Sequence, residues 1–192
     1  MSHDVHISGV VMIPFVKPGT SPSYQEMGEQ ASQLALQDSG ISYEQVQQVY
    51  AGYVYGDSTC GQSVVYRLGM SGVPVINVNN NCSTGSTALY LARQAIEGGA
   101  VDCVLALGFE QMNPGALGAI FDDRPNPLAK FIESADDLDG TSDVPVALRL
   151  FGGAGLEHQK KHGTRDETFA KISQKARRHA KHNQRAIFRD EV

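Results

Sequence analysis

The residue of this 192-residue chain best placed to do chemistry is Cys82. It lies in the run Val73 to Ile96, VPVINVNNNCSTGSTALYLARQAI, where an apolar strand-type segment gives way to an asparagine-rich turn and then to helical spacing. A cysteine at such a junction sits at a helix N-terminus. Unpaired N–H groups and a partial positive charge there favour thiolate over thiol, which makes a nucleophile near neutral pH. The same N–H groups can hold the oxyanion that forms when a thiolate attacks a carbonyl. Ser83, Gly85 and Ser86 are small, so the helix can sink close to neighbouring backbone and leave the thiol at the bottom of a narrow channel. A buried cysteine acting as a small hydrophobe is the alternative, and it suits the other two thiols better. Cys60 follows a turn, and Cys103 lies within an apolar strand-type run.

The remaining reactive residue types are weaker candidates. Three cysteines are an odd number without paired metal-ligand spacing, so neither a disulfide framework nor a zinc site is expected. His158 and His162 are four apart on one helix face and His179 and His182 three apart, but no third ligand is near either pair, so no metal is expected. No phosphate-cradling, dinucleotide-binding or Gly-x-Ser-x-Gly pattern is present. The charge is uneven. Residues 1–156 carry a formal −10 and residues 157–192 a formal +5, within a total of −5. The basic end suits an anionic ligand or a solvated helix face. Nucleic acid is not an expected partner, because only Phe169 and Phe188 are available there for stacking. No apolar run approaches the ~20 residues of a membrane helix, and the N-terminus lacks the pattern of a secretory signal. A cytoplasmic location is expected, with a peroxisomal one as the alternative.

The elements that must position Cys82 alternate. Val5 to Phe15 reads as a strand, then Tyr24, Met27, Ala31, Leu34 and Ala35 recur at helical spacing up to a stop at Gly40. Gln48–Gly56 reads as a strand, Val64–Leu68 as a short helix, and Val73–Val78 as a strand. Ser83–Glu97 reads as a long helix and Val101–Leu107 as a further strand. Strands alternating with helices imply a layered α/β sheet, partly parallel. The Asn-, Pro-, Gly- and Asp-rich residues 113–144 predict little regular structure. Val144–His162 then reads as a helix. Thr164 and Glu167 form a capping box for the next one, whose thin apolar stripe is Phe169, Ile172, Ala176 and Ala180.

Several motifs resemble one family in one order. NNNCSTGSTAL around Cys82 is similar to the acyl-accepting cysteine segment of thiolases, and GYVYGDSTCGQ (52–62) resembles the branch typified by the thiolase of sterol carrier protein X. LALGFEQMNP (105–114) is similar to the family's Gly-x-Glu-x-Met segment. Pro145-Val146-Ala147, FGGAGLEHQKKHGT (151–164) and ETFAKIS (167–173) are similar to the branch's helical loop region.

The resemblance implies an α/β thiolase fold: an N-terminal half over residues 1–118, the start of the helical loop region over 119–192, and the C-terminal half absent. It implies acyl transfer on a 3-oxoacyl-coenzyme A, by Claisen or retro-Claisen exchange through an acyl-cysteine at Cys82. The backbone N–H of Cys82 would contribute to an oxyanion hole. Coenzyme A thioester enters as substrate, with no bound cofactor. The loop region docks the phosphate-bearing nucleotide of coenzyme A, which makes Arg165, Lys171, Lys175, Arg177 and Arg178 the candidate substrate-binding residues. A homodimer through Val73–Val78 is also implied. The family's histidine base and second cysteine belong to its second half, and no segment here resembles either. The rivals are a ketosynthase-like condensing enzyme using acyl carrier protein, and a non-catalytic binder of lipid or acyl-coenzyme A.

Overall fold

Three short apolar runs pair as parallel strands, β1 (Gln48–Gly52), β2 (Val75–Val78) and β3 (Val104–Gly108), in the order β2-β1-β3. The computed structural model describes residues 4–115, 118 and 120–190. They fall into two compact units, divided between Met112 and Asn113, ahead of the 118/119 boundary expected from the family resemblance. Residues 116, 117 and 119 lie outside the described ones.

In the first unit the helices are α1 (Tyr24–Ser39), α2 (Cys60–Val65) and α3 (Thr84–Glu97). Successive strand residues point to opposite faces. The Ala51 side chain lies against Gly61 of α2, and Gly52 faces Thr84 of α3, so the two helices cover opposite faces of β1. α1 in turn packs on α2, with Gly28 against Val64. Val46, Val49 and Val65 form a buried cluster, and Val49 and Val64 are fully inaccessible. Each such valine contributes roughly 1.5–3 kcal/mol relative to an exposed one. α1 opens with a capping box between Ser23 and Glu26 and closes at Gly40, which takes the left-handed conformation (φ +69°) that a helix stop requires.

Residues 5–15 do not form the strand that their Val- and Ile-rich sequence predicts. The segment is extended but pairs with no strand among the described residues. It is held instead against α1, where the Val10 N–H donates to the Asp38 carboxylate (2.9 Å) and Gly9 lies so close that a Cβ would stand 2.5 Å from the Ala35 carbonyl. A cavity of about 600 Å³ separates it from β3, so neither edge reaches the other. Ile7, Val10 and Phe15 are exposed as a result.

The second unit contains α4 (Ala129–Asp139), α5 (Val146–His162) and α6 (Asp166–Ala180). α4 corrects the expectation of little regular structure over residues 113–144. Its neighbour is α5, and the Arg149 guanidinium bridges to Asp136 (2.5 Å) and to the Gly140 carbonyl. That contact supplies what local propensity lacked. The capping box at Thr164 and Glu167 does not form either. The Thr164 hydroxyl pairs with His158 Nδ1 (3.1 Å), so α6 starts after Arg165 without a side-chain cap. None of the three helices buries a residue.

Candidate active site

Because the strands are parallel, the segments that leave all three emerge at one edge of the sheet, where α/β folds place ligands. β2 exits into Asn79–Ser83, which carries Cys82. The turn is locked by its own side chains. Thr84 Oγ1 accepts the Asn80 N–H (2.9 Å) and donates to the Asn81 carbonyl (2.5 Å), while Asn80 Nδ2 donates to Thr87 Oγ1 (2.9 Å). Asn81 takes φ +49°, a left-handed conformation that asparagine tolerates better than most residues. The chain thereby turns sharply enough to place Cys82 two residues ahead of α3, with Ser83 at the N-cap. Its sulfur lies 3.8 Å from Asn81 Oδ1.

Cys82 is exposed. The expectation of a channel bottom is therefore not met among the described residues, although the close approach that motivated it is real. A Cβ on Gly52 would stand 2.7 Å from Thr84 Cγ2, and one on Gly108 would stand 3.6 Å from Gly85 Cα, so α3 sinks onto the ends of β1 and β3 as its small residues allow. The helix is seated deeply, but the turn ahead of it projects beyond the sheet edge.

The other two thiols are placed differently. Cys60 is buried at the first position of α2, where its N–H donates to the Tyr53 hydroxyl (3.3 Å). Cys103 is half-buried just before β3, and burial pushes its thiol up from the usual range. Both match the structural role that their sequence surroundings suggested. The His158 and His162 rings are 4.6 Å apart, yet no group of three metal-ligating side chains occurs among the described residues.

Of the five basic candidates, Lys171, Lys175 and Arg178 recur at steps of four and three along α6 and so share one exposed face. Arg165 precedes the helix and approaches Glu167 at 3.8 Å. Arg177 points elsewhere, its guanidinium 4.5 Å from the centre of the Phe188 ring. All five belong to the second unit and Cys82 to the first.

Two residues at the sheet edge carry roles that the sequence reading did not assign. Glu110, the second residue after β3, accepts backbone N–H groups of Val54 and Tyr55 with its two carboxylate oxygens. Tyr55 is half-buried, and burial, then the charges of Glu110 and Cys82, hold its phenol above the usual value of 10.0. A carboxylate two residues past an apolar strand, at the end where parallel strands release their loops, was the available signal.

The comparisons with known proteins agree with the family that the motifs resemble. The family described as "Thiolase, N-terminal domain" matches residues 5–192. The chain is 53% identical over 190 residues to Sterol carrier protein 2 of Oryctolagus cuniculus, covering 97% of this chain and 35% of that protein. It is 40% identical to Non-specific lipid-transfer protein-like 2 of Caenorhabditis elegans, covering 97% and 47%. It is 28% identical to Benzoylsuccinyl-CoA thiolase subunit BbsB of Thauera aromatica, covering 100% and 47%. The chain thus spans about a third to a half of the length of these relatives. No helix among the described residues is long and apolar enough to cross a membrane. With a parallel α/β sheet, an exposed cysteine ahead of the third helix, and a family match across nearly its whole length, the chain belongs to the thiolase family, as an N-terminal domain.

Proposed function

We propose that this domain transfers acyl groups between coenzyme A thioesters through Cys82. One observation carries the reading: the turn after β2 presents an exposed thiol two residues ahead of α3, at the positive end of the helix dipole. In the degradative direction the thiolate attacks the 3-oxo carbon of a 3-oxoacyl-coenzyme A. The bond between carbons 2 and 3 breaks, the acyl group stays on sulfur, and the two-carbon thioester leaves as an enolate that takes up a proton. The thiol of a second coenzyme A then displaces the acyl group and restores Cys82. The Lys171, Lys175 and Arg178 face suits the phosphates of coenzyme A, since each side chain brings donors and a positive charge. The name of the Thauera aromatica relative, a coenzyme A thioester thiolase subunit, supports the substrate class.

A second reading has its own observation. The cavity of about 600 Å³ beside β3 is lined by apolar groups such as Ile7, Phe15 and Leu89, and its size falls within the range of small-molecule pockets. Together with the lipid-transfer name of the Caenorhabditis elegans relative, it suits a binder of lipid or acyl-coenzyme A without chemistry. Incubation with acetoacetyl-coenzyme A, followed by mass spectrometry of the proteolysed protein, separates the two. An acetyl group on Cys82 is expected. Retention of intact thioester without modified Cys82 would favour the binder, and modification only by acyl carrier protein thioesters would favour a ketosynthase-like enzyme.

Homodimerisation belongs to the same proposal. β2 is one of the two edge strands of the sheet, and its outer edge has no strand partner among the described residues. Sedimentation equilibrium is expected to give twice the chain's 20.7 kDa, and Val75→Pro, which removes an N–H from the side of β2 that faces away from β1, is expected to return it to the monomer.

A further inference from the structure

The loops that leave β1 and β3 are tied together by one carboxylate. Glu110 Oε2 accepts the Val54 N–H and Oε1 the Tyr55 N–H, both at 2.9 Å. Two donors one residue apart need two acceptors side by side, which a carboxylate supplies and an amide does not. The rest of the loop is fixed from behind. The Tyr53 ring stacks on Phe109 at 5.3 Å, and Phe109 on Tyr24 at 5.5 Å. The Phe109 N–H donates to the Gly52 carbonyl (3.1 Å), and the Tyr53 N–H to the Val78 carbonyl (3.2 Å). Residues 53–55 therefore run between the end of β3 and the turn that carries Cys82, with Tyr53 fixed from behind and Val54 and Tyr55 held by Glu110.

We propose that Glu110 is a positioning residue for the Cys82 site, acting through Tyr55, whose phenol forms one wall of the space beside the sulfur. The proposal rests on the reading of Cys82 as acyl carrier. The direction of its titration agrees with this placement: after burial, the charges on Glu110 and on Cys82 both hold the Tyr55 proton on. The role also gives a physical reason for a glutamate in the segment LALGFEQMNP. A residue there with one acceptor, or with none, leaves an amide of the 53–55 loop unpaired and lets Tyr55 swing away from the thiol.

Tyr55 can be followed by its phenolate absorbance, taken as the difference from Tyr55→Phe, in titrations of the parent, Cys82→Ser, Glu110→Gln and the double variant. Circular dichroism and back-titration verify that each stays folded. Replacing the cysteine removes a negative charge near the phenolate and makes Tyr55 easier to ionise. Its midpoint is expected to fall in Cys82→Ser. It should fall in Glu110→Gln as well, and there the cysteine replacement should shift it no further, because the ring is no longer held beside residue 82. An unmoved midpoint in Cys82→Ser would show that Tyr55 does not face the thiol. An equal shift with and without Glu110 would show that the carboxylate does not position it. If Glu110→Gln does not fold, Glu110→Asp, too short to reach both amides, takes its place, and the parent against Cys82→Ser still decides the placement. No acyl donor is used. Failed acylation with the coupling intact counts against acyl transfer alone, and lost coupling with acylation intact counts against Glu110 alone.

Discussion

Replacing Cys82 with alanine is expected to reduce acyl transfer from a 3-oxoacyl-coenzyme A to the uncatalysed background, while alanine at Cys60 or Cys103 leaves a labelled Cys82 behind. The expectation follows from the placement of the three thiols. Cys60 is 5% exposed and built into the first turn of α2. Cys103 is half-buried, and its thiol is pushed up by that burial, so less of it is thiolate at neutral pH. Only Cys82 is exposed and lies at the N-terminus of α3, where the partial positive charge of the helix favours a tetrahedral oxyanion. A nucleophile that becomes covalently bonded has no substitute, so its loss removes the route and does not merely slow it. Single-turnover labelling with a radioactive acyl group is the measurement. More than about a tenth of the parent's labelling in Cys82→Ala would sink the assignment.

The second large effect is on stability. Gly61→Ala is expected to destabilise the first unit by about 2 kcal/mol or more, even though alanine improves on glycine inside a helix by about 1 kcal/mol. A Cβ there would run into Asn77 Oδ1 and stand 2.6 Å from the Ala51 Cβ. Asn77 Oδ1 accepts the Gly61 N–H (2.9 Å) and Asn77 Nδ2 donates to Gln62 (2.7 Å), so moving Asn77 aside would break both bonds next to the strand that leads to Cys82. Ala51 belongs to the central strand and is fully buried, so it has no room to retreat. Gly85→Ala is the matched comparison, because nothing lies within 4 Å of its Cβ position, and it is expected to be neutral or stabilising. Urea denaturation followed by circular dichroism tests both. Equal stability of the two variants would show that the approach of α2 to β1 is looser than described.

The elements that were legible in the sequence share a property: a local pattern with enough burial behind it to hold. Tyr24–Ser39 has a capping box, helical spacing and a glycine stop, and each of these is local. β1 and β3 are apolar runs, and their register follows once they pair. Residues 5–15 carry as strong a strand pattern as either, but a strand exists only if another edge meets it, and here a cavity lies where that edge would be. α4 failed in the opposite direction. Its aspartate- and proline-rich neighbourhood predicts a loop, and the contact of Arg149 with Asp136 comes from a different helix that no local window includes. Thr164 shows the same competition on a small scale, since its hydroxyl found a histidine six residues back and left the cap vacant.

The sequence by itself determined the alternation of strands and helices, the cysteine at the strand-to-helix junction, and the family to which those motifs belong. These depend on residue types at short spacing. The tertiary structure alone decided that Cys82 is exposed, that the Arg177 guanidinium lies over the Phe188 ring, and that Glu110 ties together two loops 55 or more residues apart in the chain. Exposure and loop-to-loop hydrogen bonds depend on which segments the sheet brings side by side, and parallel pairing of β1 with β3 joins residues that no sequence window holds together.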